Sequence, residues 1–294
     1  MSQQDRIDLE HYSVTARPVA TEDVARLHEL AVGVGWPHRP EDLRQIISLA
    51  KGYVACDEIG RVGGSALWFP LGEDTACIGM VITPPRMQSR GAGRWLMQRV
   101  LRDIGKREII VNATPQAVRL YEQLGFGKCG LGQQMQGHTK APDTPPAVPA
   151  GLTLRPLSGA DLPALQALDR EATGHDRTAV LLCMLEPADA VLLLDRGGAP
   201  VGYAFSRPFG RGELLGPVIA RNDDEAIALA SHFLLRHVGS YMRLDTLVRP
   251  GKFTDFVENC GLAISTTITQ MRLNPKAAAS GTTHSYAMAG QAFG

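Results

Sequence analysis

The 294-residue chain has no C-x-x-C pair, no excess of either charge and no long apolar run. Its five cysteines (Cys56, Cys77, Cys129, Cys183, Cys260) are scattered and odd in number, which speaks against a disulfide framework and against a thiolate zinc site. Most lie in apolar surroundings and read as small buried hydrophobes, so no metal is expected. Thirty lysines and arginines are balanced by thirty aspartates and glutamates, which leaves no basic footprint for nucleic acid or an anionic membrane. No apolar run approaches the roughly 20 residues of a membrane span, and residues 1–10 are polar with no apolar leader core. The expectation is a cytoplasmic protein with neither a nucleic-acid nor a membrane partner. The length suits two domains of about 150 residues each.

Proline is concentrated in one place. Residues 139–151, Thr-Lys-Ala-Pro-Asp-Thr-Pro-Pro-Ala-Val-Pro-Ala-Gly, favour an extended, semi-rigid connector and divide the chain almost in half. Across it the sequence partly repeats. Arg17-Pro18 with Asp23, Leu27 and Leu30 returns as Arg155-Pro156 with Asp161, Leu165 and Leu168, each reading as a strand followed by an Asp-led helix. Gly79, Val81 and Ile82 return as Gly216, Val218 and Ile219, and Gly125-Phe126 as Gly261-Leu262. The expected organisation is residues 1–138, a linker at 139–151, and a second, similar domain at 152–294 whose apolar end, with Tyr286, Met288 and Phe293, docks as a strand or hook.

Chemistry is concentrated at residues 88–93, Gln-Ser-Arg-Gly-Ala-Gly, between a strand over Thr75 to Thr83 and an amphipathic helix over Gly93 to Ile104. Glycines at 91 and 93 let the backbone turn sharply and aim N–H groups at an anion, aided by the positive end of the helix dipole. A plain tight turn reads the same way in isolation. Upstream, Gly52 to Asp57 and Arg61 to Phe69 form an antiparallel pair turned at Glu58-Ile59-Gly60. Downstream come a strand over Glu108 to Ala113, a helix opened by Thr114-Pro115, and the run Leu120-Tyr121-Glu122-Gln123-Leu124-Gly125-Phe126.

Taken together, Val81-x-x-Pro84, Gln88-x-x-Gly91-x-Gly93 and Ala117-x-x-Leu120-Tyr121-x-x-Leu124-Gly125-Phe126 resemble the GNAT superfamily of acyl-CoA-dependent N-acyltransferases, over roughly residues 12–137. The run Asn112 to Pro115 resembles a bacterial subgroup in which a degenerate acetyltransferase-like domain follows. The resemblance implies an α/β (α+β) mixed sheet in tandem GNAT-like folds, with acetyl-CoA as acyl donor and a primary amine, in first place a small molecule, as acceptor.

Residue by residue, the resemblance implies that Gln88, Ser89, Gly91, Ala92 and Gly93 cradle the pyrophosphate. The backbone of Met80, Val81 and Ile82 would meet the pantetheine arm where two strands splay apart. Arg86 and Arg90 would pair with phosphates, or simply be solvated. Tyr121 would donate a proton to the departing thiolate, since a phenol stays protonated at neutral pH; the alternative is an aromatic filling the apolar face of its helix. Trp36, His38 and Arg39 lie where the family walls its acceptor site, or form a capped turn. Glu73 and Asp74 are weak candidates for a base.

In the second copy, Glu225, Ala228 and Ala230 fall opposite Gln88, Gly91 and Gly93, and Val257 opposite Tyr121, so this copy is expected to bind no coenzyme. Its polar cluster Asp169-Arg170 and Gly174-His175-Asp176-Arg177 either lines an acceptor cleft or caps helices. Three alternatives stay open: a non-enzymatic acyl-CoA sensor, protein lysines or N-termini as acceptors, and a homodimer through apolar strand edges.

Overall fold

The computed structural model describes residues 6–9, 12–84, 91–277 and 281–293. The chain forms two compact units, Met1–Val111 and Asn112–Gly294. Among the described residues no helix is long and apolar enough to cross a membrane.

The first unit holds strands β1 (Arg6–Leu9), β2 (Tyr12–Pro18), β3 (Lys51–Cys56), β4 (Val62–Leu71), β5 (Thr75–Ile82) and β6 (Glu108–Ala113), whose last two residues belong to the second unit. These strands lie side by side in chain order, antiparallel except for the parallel pair β5 and β6. The β3 to β4 turn closes with Gly60 at φ +80°, a conformation that favours glycine. Helices α1 (Val24–Gly33), α2 (Pro40–Leu49) and α3 (Ala92–Ile104) complete the unit. Ala92, Leu96, Met97, Val100 and Ile104 of α3 are buried. That three-and-four spacing puts them on one face, and each of the larger ones contributes about 1.5–3 kcal/mol.

The second unit contains α4 (Val118–Gln123), β7 (Gly127–His138), β8 (Thr153–Pro156), α5 (Leu162–Thr173), α6 (Thr178–Leu185), β9 (Ala190–Arg196), β10 (Ala199–Phe209), β11 (Gly212–Ala220), α7 (Asp223–Arg236), β12 (Tyr241–Thr246), α8 (Lys252–Asn259), β13 (Ala263–Leu273) and β14 (His284–Ala287). Its sheet order is β13-β7-β12-β11-β10-β9-β8, with β14 on β11. Strand β7 belongs by sequence to the first repeat, yet it lies between β12 and β13 of the second, antiparallel to both, with Met135 opposite Leu244 and Ile264. The repeat in the sequence and the packed bodies therefore divide the chain at different places. Residues 139–151 carry neither helix nor strand.

The duplicated Arg and Asp perform the same task twice. Arg17 grips Asp23 through two hydrogen bonds of 2.8 and 2.6 Å while Asp23 accepts the Ala20 N–H. Arg155 grips Asp161 at 2.7 and 2.8 Å while Asp161 accepts the Ser158 N–H. In both, a carboxylate satisfies an orphan donor at the start of a helix and ties it to the first strand of its repeat.

Several elements differ from the sequence reading. The helix carrying Tyr121 starts at Val118, because Ala117 N–H turns back onto the Thr114 carbonyl and residues 114–117 form a turn instead. Helix α7 is buried almost all round from Glu225 to Leu234, His232 being the exception.

Candidate functional site

In the first unit β5 and β6 pair from Thr75 with Glu108 to Ile78 with Val111, and the pairing ends there although β5 runs on to Ile82. Met80 sits at this divergence with φ +50°, and the register of β5 against β4 slips across it. The buried Ser65 hydroxyl fixes the distortion by donating to the Met80 carbonyl at 2.7 Å. A bulge at the end of a strand pair re-aims backbone groups, here those of Met80, Val81 and Ile82. Residues 83–91 join β5 to α3. Gly91, the N-cap of α3, has φ +86° and open space around it, so glycine is required by conformation and not by crowding. Gly91, Ala92 and Gly93 thus form the entry to a helix, whose first-turn N–H groups have no partner within the helix itself, while Arg86, Gln88, Ser89 and Arg90 lie outside the described residues.

The remaining first-repeat candidates have definite surroundings. Trp36 and His38 form a ring pair 5.9 Å apart in the loop before α2. Arg39 caps α2: its N–H meets Asp42 Oδ2 at 2.8 Å and its guanidinium meets Oδ1 at 2.6 Å, with the arginine side chain 36% exposed and the carboxylate buried. Glu73 and Asp74 lie at the start of β5, and its eight residues carry the chain about 25 Å before the divergence ends. Tyr121 belongs to the second unit, 3% exposed, with its ring edge-on to Phe126 at 5.5 Å.

The second repeat carries the same divergence, and it is filled. Strands β11 and β12 pair only at Glu213 with Met242 and Leu214 with Arg243. Beyond that, β14 pairs with β11 through Val218 with Ala287, Ile219 with Ser285 and Ala220 with His284. On its other side the Met288 N–H donates to the Asp245 carbonyl at 2.8 Å, and the Thr246 hydroxyl donates to the Tyr286 carbonyl at 2.7 Å. A side chain at Gly216 would come within 2.2 Å of the Met288 carbonyl. Tyr286 seals the wedge, its hydroxyl donating to Asp223 at 2.9 Å and its ring 5.1 Å from Phe253. Burial and then the Asp223 carboxylate push this phenol well above its ordinary pKa.

The Gly-rich loop has no counterpart here. Only Arg221 and Asn222 separate β11 from α7, and the buried Glu225 is already inside the helix, accepting from Arg221 N–H at 3.1 Å and from its guanidinium at 2.6 Å. Ungapped comparison places Glu225 opposite Gln88, but the loop itself is missing. Residue types alone do not reveal that difference.

The polar cluster of the second repeat is internally paired. Arg177, the N-cap of α6, is fully buried and binds Asp169 through two contacts of 2.6 and 3.1 Å, while the Tyr203 hydroxyl donates to the same carboxylate at 2.5 Å. Burial and then Asp169 raise the Tyr203 pKa. His175 beside them is held down to about 4, first by burial and then by the Arg177 charge. Arg170 pairs with Asp176, which caps α6 through the Thr178 N–H. The positions equivalent to Asp169, Arg177 and Tyr203 in the first repeat are Ala31, Arg39 and Ser65. Ser65 pairs with Ile82 as Tyr203 pairs with Ile219.

A family model described as an acetyltransferase (GNAT) domain matches residues 37–142, and a second of the same description matches residues 165–287. No curated protein matches the chain significantly. Among solved structures, a protein from Pyrococcus horikoshii with a provisional acetyltransferase name is similar with TM-score 0.78 and 17% identity, covering 96% of each chain. A GCN5-related N-acetyltransferase from Sphaerobacter thermophilus has TM-score 0.64 and 17% identity, over 88% of this chain and 95% of its own. A tandem GNAT protein from the clavulanic acid biosynthesis pathway has TM-score 0.65 and 17% identity, over 90% and 100%. At such identities the likeness is one of fold.

Proposed function

Since the chain belongs to the GNAT acetyltransferase family and carries two such domains in tandem, making it an acyltransferase, we propose that it moves an acetyl group from acetyl-CoA to a primary amine of a small molecule, using the first repeat alone. The observation that carries this reading is the contrast between the two strand divergences. One ends at a glycine-led helix N-terminus, and the other is occupied by the chain's own β14.

In this reading the loop residues Arg86, Gln88, Ser89 and Arg90, with Gly91, Ala92 and Gly93, hold the pyrophosphate through backbone N–H groups and arginine charge. Met80, Val81 and Ile82 offer their main chain to the pantetheine amides, and an N–H at the bulge donates to the developing oxyanion. The neutral amine nitrogen bonds to the acetyl carbon, the carbon–sulfur bond breaks, Tyr121 gives its phenolic proton to the departing thiolate, and the proton shed by the acetylated nitrogen passes through solvent to restore the phenol, the acid role being worth roughly 10²–10⁴ in rate. Trp36 and His38 supply an aromatic wall for the acceptor, and Arg39, already committed to Asp42, holds that loop to α2.

Calorimetric titration of acetyl-CoA and CoA into the intact chain and a Gly91→Val variant tests the donor. One site per chain, weakened in the variant, is expected. Absence of binding by either ligand at millimolar concentration would overturn the proposal. Tyr121→Phe is expected to keep acetyl-CoA affinity within twofold while thiol release in the presence of an amine falls about 100-fold. Unchanged turnover would remove Tyr121 from the chemistry.

A further inference from the structure

We infer that the second unit binds a ligand through the side-chain amides of Gln291 and Asn112, organised around the Asp245 carboxylate, and that the ligand class is an amine bearing hydroxyl or amide groups. That the ligand is an amine rests on the acyl-transfer reading above; the recognition chemistry rests on geometry within residues 112–294.

After β14 the chain does not stop at the divergence it fills. The buried Arg207 holds the Ala289 carbonyl at 3.0 Å, and Gly290 to Phe293 close a turn through Phe293 N–H and the Gly290 carbonyl at 3.0 Å. Gln291 in that turn reaches three strands. Its Nε2 donates to Asp245 Oδ1 on β12 at 3.2 Å and to Gln134 Oε1 on β7 at 3.1 Å. Its carbonyl accepts from Asn112 Nδ2, at the end of β6, at 2.9 Å. Asp245 and Gln134 are direct cross-strand partners. The tail therefore crosses from β11 over β12 and β7 to Asn112.

The orientation of the Gln291 amide is determined chemically. Asp245 is buried and already accepts from the Arg243 guanidinium at 3.0 and 2.8 Å, and a carboxylate accepts only, so the amide nitrogen turns toward it and the amide oxygen turns away. Among the described residues, Gln291 Oε1 and the second Asn112 N–H are not engaged, and both side chains are only half-buried. One acceptor beside one donor, next to a guanidinium already neutralised by its carboxylate, suits a hydroxyl or an amide. It does not suit a carboxylate, a phosphate or an ammonium.

The test uses the full-length chain and a matched pair of amines, glucosamine and cyclohexylamine, which share a six-membered ring and differ in hydroxyls. Each is titrated while the side-chain amide signals of Asn112 and Gln291 are followed by nuclear magnetic resonance. At least tenfold tighter binding of glucosamine, with those two signals shifting, is expected. Gln291→Ala should bring the two affinities within twofold while acetyl-CoA affinity stays unchanged, and Asn112→Ser should narrow the gap partly. Equal binding of the two amines by the intact chain, or an undiminished preference in Gln291→Ala, would overturn the inference. If glucosamine is preferred and acetyl-CoA does not bind, the recognition site stands and the acyl-transfer reading falls. If acetyl-CoA binds and the amines are not distinguished, the outcome is the reverse.

Discussion

Two stretches of strand that match in the repeat keep different company. Gly79 to Ile82 run on past the end of their pairing with β6, while Gly216 to Ile219 meet β14. The same difference recurs beneath the helices. Ala31, Ser65 and a partly exposed Arg39 paired with the buried Asp42 carboxylate stand where the second repeat has Asp169, Tyr203 and a fully buried Arg177. The comparison teaches that a fold built round a gap has to do something with that gap. One copy retains small residues and a left-handed glycine at its edge. The other fills it with a tethered strand, whose local concentration is set by the chain and needs no ligand in solution.

The largest disturbance should come from emptying the filled side. Tyr286→Ala removes a buried ring and leaves Phe253 and Asp223 without their partner. A loss of about 3–5 kcal/mol in denaturant unfolding is expected, with no second equivalent of acetyl-CoA gained. Acquisition of a second site would show that the strand, and not the missing loop, is what keeps the second repeat from coenzyme.

Acid offers a gentler probe. In Asp23 burial alone would raise the pKa, but the Arg17 and Ala20 hydrogen bonds outweigh it and leave it lowered. Asp161 is lowered by Arg155 and then Ser158. Both contributions are present above the ordinary carboxylate value and are lost as pH falls through the folded one, so they do not separate the repeats. His175 does. Burial, then the charges of Arg177, Arg272 and Lys276, outweigh Asp169 and hold it neutral down to about 4. The unfolded chain takes up a proton near pH 6.5 that the folded chain refuses, so stability should fall between pH 6.5 and 4 by on the order of 2 kcal/mol. A His175→Gln variant whose stability, measured by urea unfolding, falls as steeply between pH 6.5 and 4 would reject this account.

The smallest expected effect concerns the glycine edge. Gly91→Val forces a β-branched residue to φ +86°, a strain of roughly 1–2 kcal/mol that should weaken acetyl-CoA about tenfold. The reciprocal Ala228→Gly change should cost about 1 kcal/mol of helix stability and bring no coenzyme binding, because position 228 lies within α7. Equal responses of the two variants in calorimetry would dissolve the distinction.

Much of the first repeat was legible because its signals are local. The strand Glu108 to Ala113 lies where a β-rich run between turn residues predicts it, and α3 starts one residue from its expected start. The Asp-led helix starts recur because a carboxylate capping an N–H leaves a trace at fixed spacing. Partners far along the chain left no such trace. Nothing in Gly127 to His138 says that its neighbours are β12 and β13, since alternation reveals a strand's faces and not its companions. The residues about Asp245 come from positions 112, 134, 243 and 291, and only the folded chain gathers them. The missing second loop was concealed by an ungapped repeat.

The location of β7 also sets a timetable. During synthesis this strand leaves the ribosome well before its two neighbours exist, for β12 begins only at Tyr241 and β13 at Ala263. At roughly 5–20 residues per second, β7 waits on the order of ten seconds with both edges open. Its sequence suits that wait, with glycines at 127, 130, 132 and 137, glutamines at 133, 134 and 136, and little that would aggregate in a nascent chain.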